Sequence, residues 1–159
     1  MENETEALVK IFYGKDVIAR KKARYDLIKI GKPAINYLTG LLNDPKMHIR
    51  WEAIKTLSQI AAPESIPVLI KALENDDFDV RWMAAEGLID IGKQSIKPLL
   101  KALSRNEDSN YLLEGAHHIL KGLEFKKIFK DDDGLIKKLE NYNMHPEIAV
   151  FTEELLSKY

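Results

Sequence analysis

The sequence predicts an all-α fold, a tandem array of about five helix-turn-helix hairpins, and three observations carry the prediction. A set of apolar anchors returns about every 30 to 32 residues, always at helical spacing. The turn residues between the sets return with them. No segment alternates apolar and polar residues in the two-residue rhythm of a strand, so no sheet is expected.

The anchors are clearest in the third copy, where Val80, Ala84, Leu88 and Ile91 stand at offsets 0, 4, 8 and 11. The same offsets select Ala19, Ala23, Leu27 and Ile30 in the first copy and Ile49, Ala53, Leu57 and Ile60 in the second. They select Leu112, Ala116, Leu120 and Leu123 in the fourth, and a degenerate fifth runs Ile148, Thr152, Leu156 and Tyr159. At 3.6 residues per turn these positions share one stripe of a helix. The small second anchor suits a close approach of two helices.

Each anchored helix follows another amphipathic segment, carrying Ile35, Leu38 and Leu42, then Ile66, Leu69 and Leu73, then Ile96, Leu99 and Leu103. Gly31 and Gly92 stand just after a last anchor, where a helix C-terminus favours glycine. Pro33 and Pro63 sit just beyond, suited to a turn or to the first turn of the next helix. Asp44 and the Asn75-Asp76-Asp77 run offer N-cap oxygens.

In chain order the helices are expected at 5–13, 16–30, 34–43, 47–60, 64–74, 78–91, 95–104, 110–123, 133–141 and 146–157. They pair into hairpins at 5–30, 34–60, 64–91, 95–123 and 133–157 of one domain spanning 1–159. The connection EFKKIFKDDDG, 124–134, is longer than the others. It is either a bulged turn or a segment whose Phe125, Ile128 and Phe129 pack under the last helices.

An array of this period with [VI]-R-x-x-A-x-x-x-L-x-x-I-G in the second helix resembles the HEAT-like repeats of the phycobilisome-lyase type. Val80-Arg81, Ala84, Leu88 and Ile91-Gly92 carry the match, with Ile49-Arg50 and Ala19-Arg20 opening the same pattern; Leu113 and Ala149 replace the arginine later. The resemblance implies a right-handed αα superhelix, a HEAT-like solenoid, whose second helices line the concave side. It also implies a protein-binding scaffold more often than an enzyme. Arg20, Arg50 and Arg81 are read as a structural ladder, bonding loop carbonyls and carboxylates between repeats.

The two tryptophans, Trp51 and Trp82, occupy the same register, two residues after the first anchor and off the anchor stripe. The non-anchor positions form rows: Lys21, Lys22, Tyr25 and Lys29; Trp51, Glu52, Lys55 and Gln59; Trp82, Met83, Glu86 and Asp90; Glu114, Gly115, His118 and Gly122. A fifth row would be Val150, Phe151, Glu154 and Lys158. Because packed helices lie about 8–10 Å apart, Trp51 and Trp82 are expected side by side as aromatic anchors, supported by Met83 and Tyr25. Lys21, Lys22, Lys29 and Lys55 make one end cationic, and Glu86, Asp90, Glu114 with His118 make the other polar and acidic. That is the layout of a protein-binding patch. The competing reading lays both indoles down as packing between repeats.

A net charge of -1 argues against strong non-specific attraction to nucleic acid or acidic lipid. The absence of Cys excludes disulfides, thiolate metal sites and Cys nucleophiles. No apolar run approaches the ~20 residues of a membrane helix, and the polar start MENETEALVK is unlike a secretory signal. A cytoplasmic protein with no membrane partner is expected. The imidazoles are His48, His117, His118 and His145, and Glu114 and His117 form a single Glu-x-x-His pair. HEAT-like hydroxylases of the deoxyhypusine type carry repeated His-Glu dipeptides, and this sequence has none, so no metal and no cofactor is expected.

The reading is therefore a non-enzymatic scaffold binding a protein or peptide on its concave face, as a monomer or a heteromeric subunit. The first rival is a nucleic-acid-binding module, suggested by seven Lys or Arg against two Asp between residues 15 and 32. The later acidic rows speak against it. The second rival is a lyase or chaperone subunit acting on a chromophore-bearing protein.

Overall fold

The computed structural model describes residues 2–105, 109–140 and 145–159. These residues form ten α-helices and no strand, wound as a right-handed superhelix of αα hairpins. The helices are α1 (Glu2–Ile11), α2 (Val17–Ile30), α3 (Ile35–Leu41), α4 (Met47–Ile60), α5 (Ile66–Ala72), α6 (Phe78–Ile91), α7 (Lys93–Leu103), α8 (Asn110–Phe125), α9 (Leu135–Leu139) and α10 (His145–Leu156). The helices α2, α4, α6 and α8 stack side by side. Their central anchors are sealed: Ala23, Leu27, Ala53, Leu57, Ala84, Leu88, Ala116 and Leu120 are all buried.

Local chemistry starts and stops these helices. Asp16 accepts from the N–H groups of Ile18 and Ala19, Asp77 from Asp79, and Ser109 from Leu112. α4 alone among the stacked four begins without a side-chain cap, on Lys46. Gly31 (φ 70°) and Gly92 (φ 77°) end α2 and α6, while Ala61 is driven into the left-handed region at φ 48° after α4. The first helices α3 and α5 are shorter than expected. A 3₁₀ turn, Lys32–Ala34 or Pro63–Ser65, takes up their start, because the proline fixes φ and donates no N–H there.

The arginine ladder is present and works as packing chemistry. Arg20 donates to the Gly14 carbonyl at 2.8 Å, Arg50 to Asp44 at 2.9 Å, and Arg81 to Asn75 at 2.7 Å. Arg50 also lies 3.6 Å from Asp77 of the next repeat. Between α4 and α6 the backbones come so close that a Cβ on Gly87 would sit 2.9 Å from Ser58 Cα. Ser58 Oγ donates to the Met83 carbonyl across the same gap at 2.5 Å.

The last pair departs from the expected pattern. α9 packs on α8, whereas α10 packs on α7 and α9, so the order of first and second helix is reversed. Val150, Phe151, Glu154 and Lys158 therefore do not extend the row of second helices. The connection after α8 makes the reversal: Lys127 turns left-handed, and the N–H groups of Ile128 and Phe129 both bond Leu123 O. Of the three residues that one of the two readings packs under the last helices, Phe129 is buried with its ring stacked on Tyr159 at 6.4 Å, whereas Phe125 points into solvent at 91% exposure and Ile128 is also exposed. Residues 141–144 of the fifth expected hairpin lie outside the described residues.

Candidate functional site

The stacked second helices do carry the expected residues, but they present two separate hollows rather than one strip. Trp51 turns toward α2, where the Arg24 guanidinium lies 5.6 Å from its ring; Lys55 Nζ, from its own helix, lies 4.3 Å from the same ring. Trp82 turns the other way, stacking on Phe78 at 6.2 Å and meeting the His118 ring on α8 at 4.4 Å. The indoles share a register and diverge in direction. The side-by-side anchor pair is not formed.

Between α2 and α4 lies a hollow of about 370 Å³, lined among others by Arg20, Lys21, Arg24, His48, Trp51 and Glu52. Glu52, read from the sequence as a surface residue, is only 5% exposed. Two guanidiniums hold it: Arg24 at 2.5 Å and Arg20 at 3.4 Å. Such a buried carboxylate is stable only because it is paired.

Between α6 and α8 lies a smaller hollow of about 170 Å³, lined by Phe78, Arg81, Trp82, Ala85, Tyr111, Glu114, Gly115 and His118. It has three aromatic walls. Arg81 lies over Tyr111 at 4.0 Å, held in place by its loop carbonyls. Glu86 and His118 Nε2 are paired at 2.7 Å. Glu114 is exposed at the rim. The hollow is walled by aromatic rings and carries one cation, Arg81, and one carboxylate, Glu114.

The remaining expected residues are dispersed. Met83 is half-buried and packs on the core, so it supports the fold and not an open patch. Tyr25 is exposed with Lys21 Nζ 6.0 Å from its ring, Lys22 is exposed, and Lys29 lies 3.5 Å from Asp26. Asp90 is paired with Lys126 of the long connection at 2.8 Å. Sequence reasoning passed over Val17, Met47 and Phe78, all exposed. The signal was there: each stands two residues before a first anchor, and all three are apolar.

His118 meets Glu86, and His117 lies 3.5 Å from Glu140. Among the described residues no three His, Asp or Glu side chains gather where they could hold a metal ion. The sequence has no His-Glu dipeptide of the kind that HEAT-like hydroxylases carry. Nor is any helix of the described residues long and apolar enough to cross a membrane.

Comparison with known proteins adds the functional constraint. Over 111 residues, 68% of this chain and 35% of the relative, the sequence is 34% identical to a deoxyhypusine hydroxylase of Schizosaccharomyces pombe. Over 108 residues, 65% of the chain and 36% of the relative, it is 32% identical to the deoxyhypusine hydroxylase of Rattus norvegicus. The chain thus spans about a third of the length of these curated relatives. In fold it is similar to the complex of CpcE and CpcF of phycocyanin lyase from Nostoc sp. PCC7120, with a TM-score of 0.63 at 23% identity, covering 94% of this chain and 99% of that one.

These relatives correct the expectation of a non-enzymatic scaffold and of no enzyme activity, since both are enzymes. The reason for the error is physical. The anchor motif encodes how helices pack, and the same packing carries binding surfaces and catalytic sites alike. The model of the family described as HEAT repeats matches residues 5–88 and 59–121, and with the anchors buried and the hairpins stacked as that match requires, the chain belongs to the HEAT-repeat family.

Proposed function

We propose that this chain is the substrate-holding part of a HEAT-repeat enzyme akin to the deoxyhypusine hydroxylases, working as one subunit of a heteromeric assembly. In this reading the hollow between α6 and α8 seats a basic side chain of a protein substrate, and a partner supplies the catalytic donors. The observation that carries it is the aromatic wall of Phe78, Trp82 and Tyr111, with Glu114 as the one carboxylate in the same lining to balance Arg81. Aromatic faces attract an ammonium through the ring quadrupole, and a rim carboxylate fixes its position. Arg81 already uses one face of Tyr111 in this way. Similarity to enzymes named for deoxyhypusine, a basic side chain, supports the same assignment.

The test is a titration followed by Trp82 emission in a Trp51→Phe background. A peptide carrying deoxyhypusine, its lysine counterpart and its acetyl-lysine counterpart are compared. Saturable change is expected with the two amines, tighter for deoxyhypusine, and absent with the neutral peptide. Glu114→Gln should weaken binding tenfold or more, about 1.4 kcal/mol. An equal response to the acetylated peptide would overturn the assignment.

A further inference from the structure

The two hollows are the same site twice over. The first is lined from one helix by positions −2, +1, +2 and +5 relative to the first anchor, which are Val17, Arg20, Lys21 and Arg24. The second is lined by Phe78, Arg81, Trp82 and Ala85 at those same positions. The facing helix contributes positions −1, +2 and +3: His48, Trp51 and Glu52 in one, Tyr111, Glu114 and Gly115 in the other. The junction between α4 and α6 offers Ile54 and Met83 at +5 and +3, and there Ile54 is fully buried and Met83 packs on the core. Each junction of the superhelix is thus a potential socket, and the side chains at +5 and +3 decide whether it is open and what charge it bears.

In the first socket the charge does not balance. Arg20, Lys21 and Arg24 face only Glu52 and Asp79. Arg24 is buried to 8% exposure, and its Nε has no hydrogen-bond partner among the described residues. That guanidinium is already paired with Glu52, so the surplus charge a ligand would meet is that of the exposed Lys21 beside Arg20. The first turn of α4 supplies Met47 and His48 to the same hollow, and that helix begins without a side-chain cap. Backbone N–H groups of its first turn therefore add to the positive field.

We infer that the socket between α2 and α4 binds a carboxylate, the side chain of an acidic residue in a peptide segment of a protein ligand. One surplus positive charge matches a monoanion; a phosphate dianion would bring excess negative charge beside Asp79 and Glu52. The walls of Val17, Met47 and Trp51 suit the hydrocarbon stem and backbone of a peptide. The carboxylate site stands on its own residues. Only its spacing from the basic-side-chain socket rests on the proposed function: two helix spacings, roughly 16–20 Å, which about five or six extended residues span.

The experiment uses the full chain with Trp82→Phe, so that Trp51 alone reports. The probes are a capped peptide with one Glu among Ala and Gly, the same peptide with Gln, and inorganic phosphate. None carries a basic group, so failure of the α6–α8 reading leaves this measurement untouched. A saturable change with the Glu peptide only, weakened tenfold or more by Lys21→Glu at unchanged Tm, is the expected result. Equal responses to Glu and Gln peptides would overturn the inference. So would phosphate binding in preference to the peptide, or a Lys21→Glu variant that binds as well as its parent.

Discussion

The α2–α4 and α6–α8 sockets occupy equivalent places in the repeat yet differ in nearly everything a ligand would sense. One holds an Arg24–Glu52 pair at its base and is cationic; the other has Ala85 and Gly115 there and is floored by aromatic rings. At position +2 the two exchange roles, Lys21 facing Trp51 in the first and Trp82 facing Glu114 in the second. A repeat protein can thus hold its backbone geometry constant and write ligand chemistry into two or three positions per junction. The filled junction between them shows the third option, in which the same positions become core.

The comparison can be broken most severely at the charged base. Glu52→Leu leaves two guanidiniums without their carboxylate and should cost about 3–5 kcal/mol in urea unfolding. The double change Arg24→Leu with Glu52→Leu should recover most of that loss, since neither buried charge remains. A double variant as unstable as Glu52→Leu would show that the pair is not the source of the cost. Next in size is Gly87→Ala, which forces a Cβ to 2.9 Å from Ser58 Cα. It should cost about 1–3 kcal/mol by overpacking and separate α4 from α6, read as a fall in Tm.

Smaller changes sharpen the contrast. Lys46→Asp supplies the missing cap to α4 and should stabilise by about 1 kcal/mol. It should also weaken the Glu peptide at the first socket while leaving amine binding at the second unchanged, because it places a negative charge at only one of them. Ala61→Gly relieves the left-handed strain at φ 48° and should stabilise by roughly 0.5–1 kcal/mol without touching either socket. Denaturant midpoints and paired titrations of both variants check these outcomes.

The architecture was legible because packing imposes periodicity. Helices that must bury one stripe repeat their apolar residues at offsets 0, 4, 8 and 11, and the anchors in α2, α4, α6 and α8 showed it. The arginine ladder was legible for a related reason, since Arg20, Arg50 and Arg81 recur beside acidic loops that need donors. The exposed apolar residues Val17, Met47 and Phe78 were equally periodic, and a reading confined to anchors and tryptophans passed over them. What periodicity does not encode is the direction of a side chain within its register. Trp51 and Trp82 share a position and turn opposite ways, one drawn to Arg24 and the other to Phe78 and His118.

By itself, then, the amino-acid sequence determined the all-α repeat, its period, its helix stops at Gly31 and Gly92, and the recurrence of arginine and tryptophan at fixed places. Those features depend on residue spacing along one helix, which local geometry fixes. The tertiary structure alone decided that Glu52 is buried between two arginines, that Met83 closes the middle junction, and that the final pair packs in reversed order. These outcomes depend on which side chain from a different helix fills the space opposite, a relation between residues some thirty positions apart that no single helical period contains.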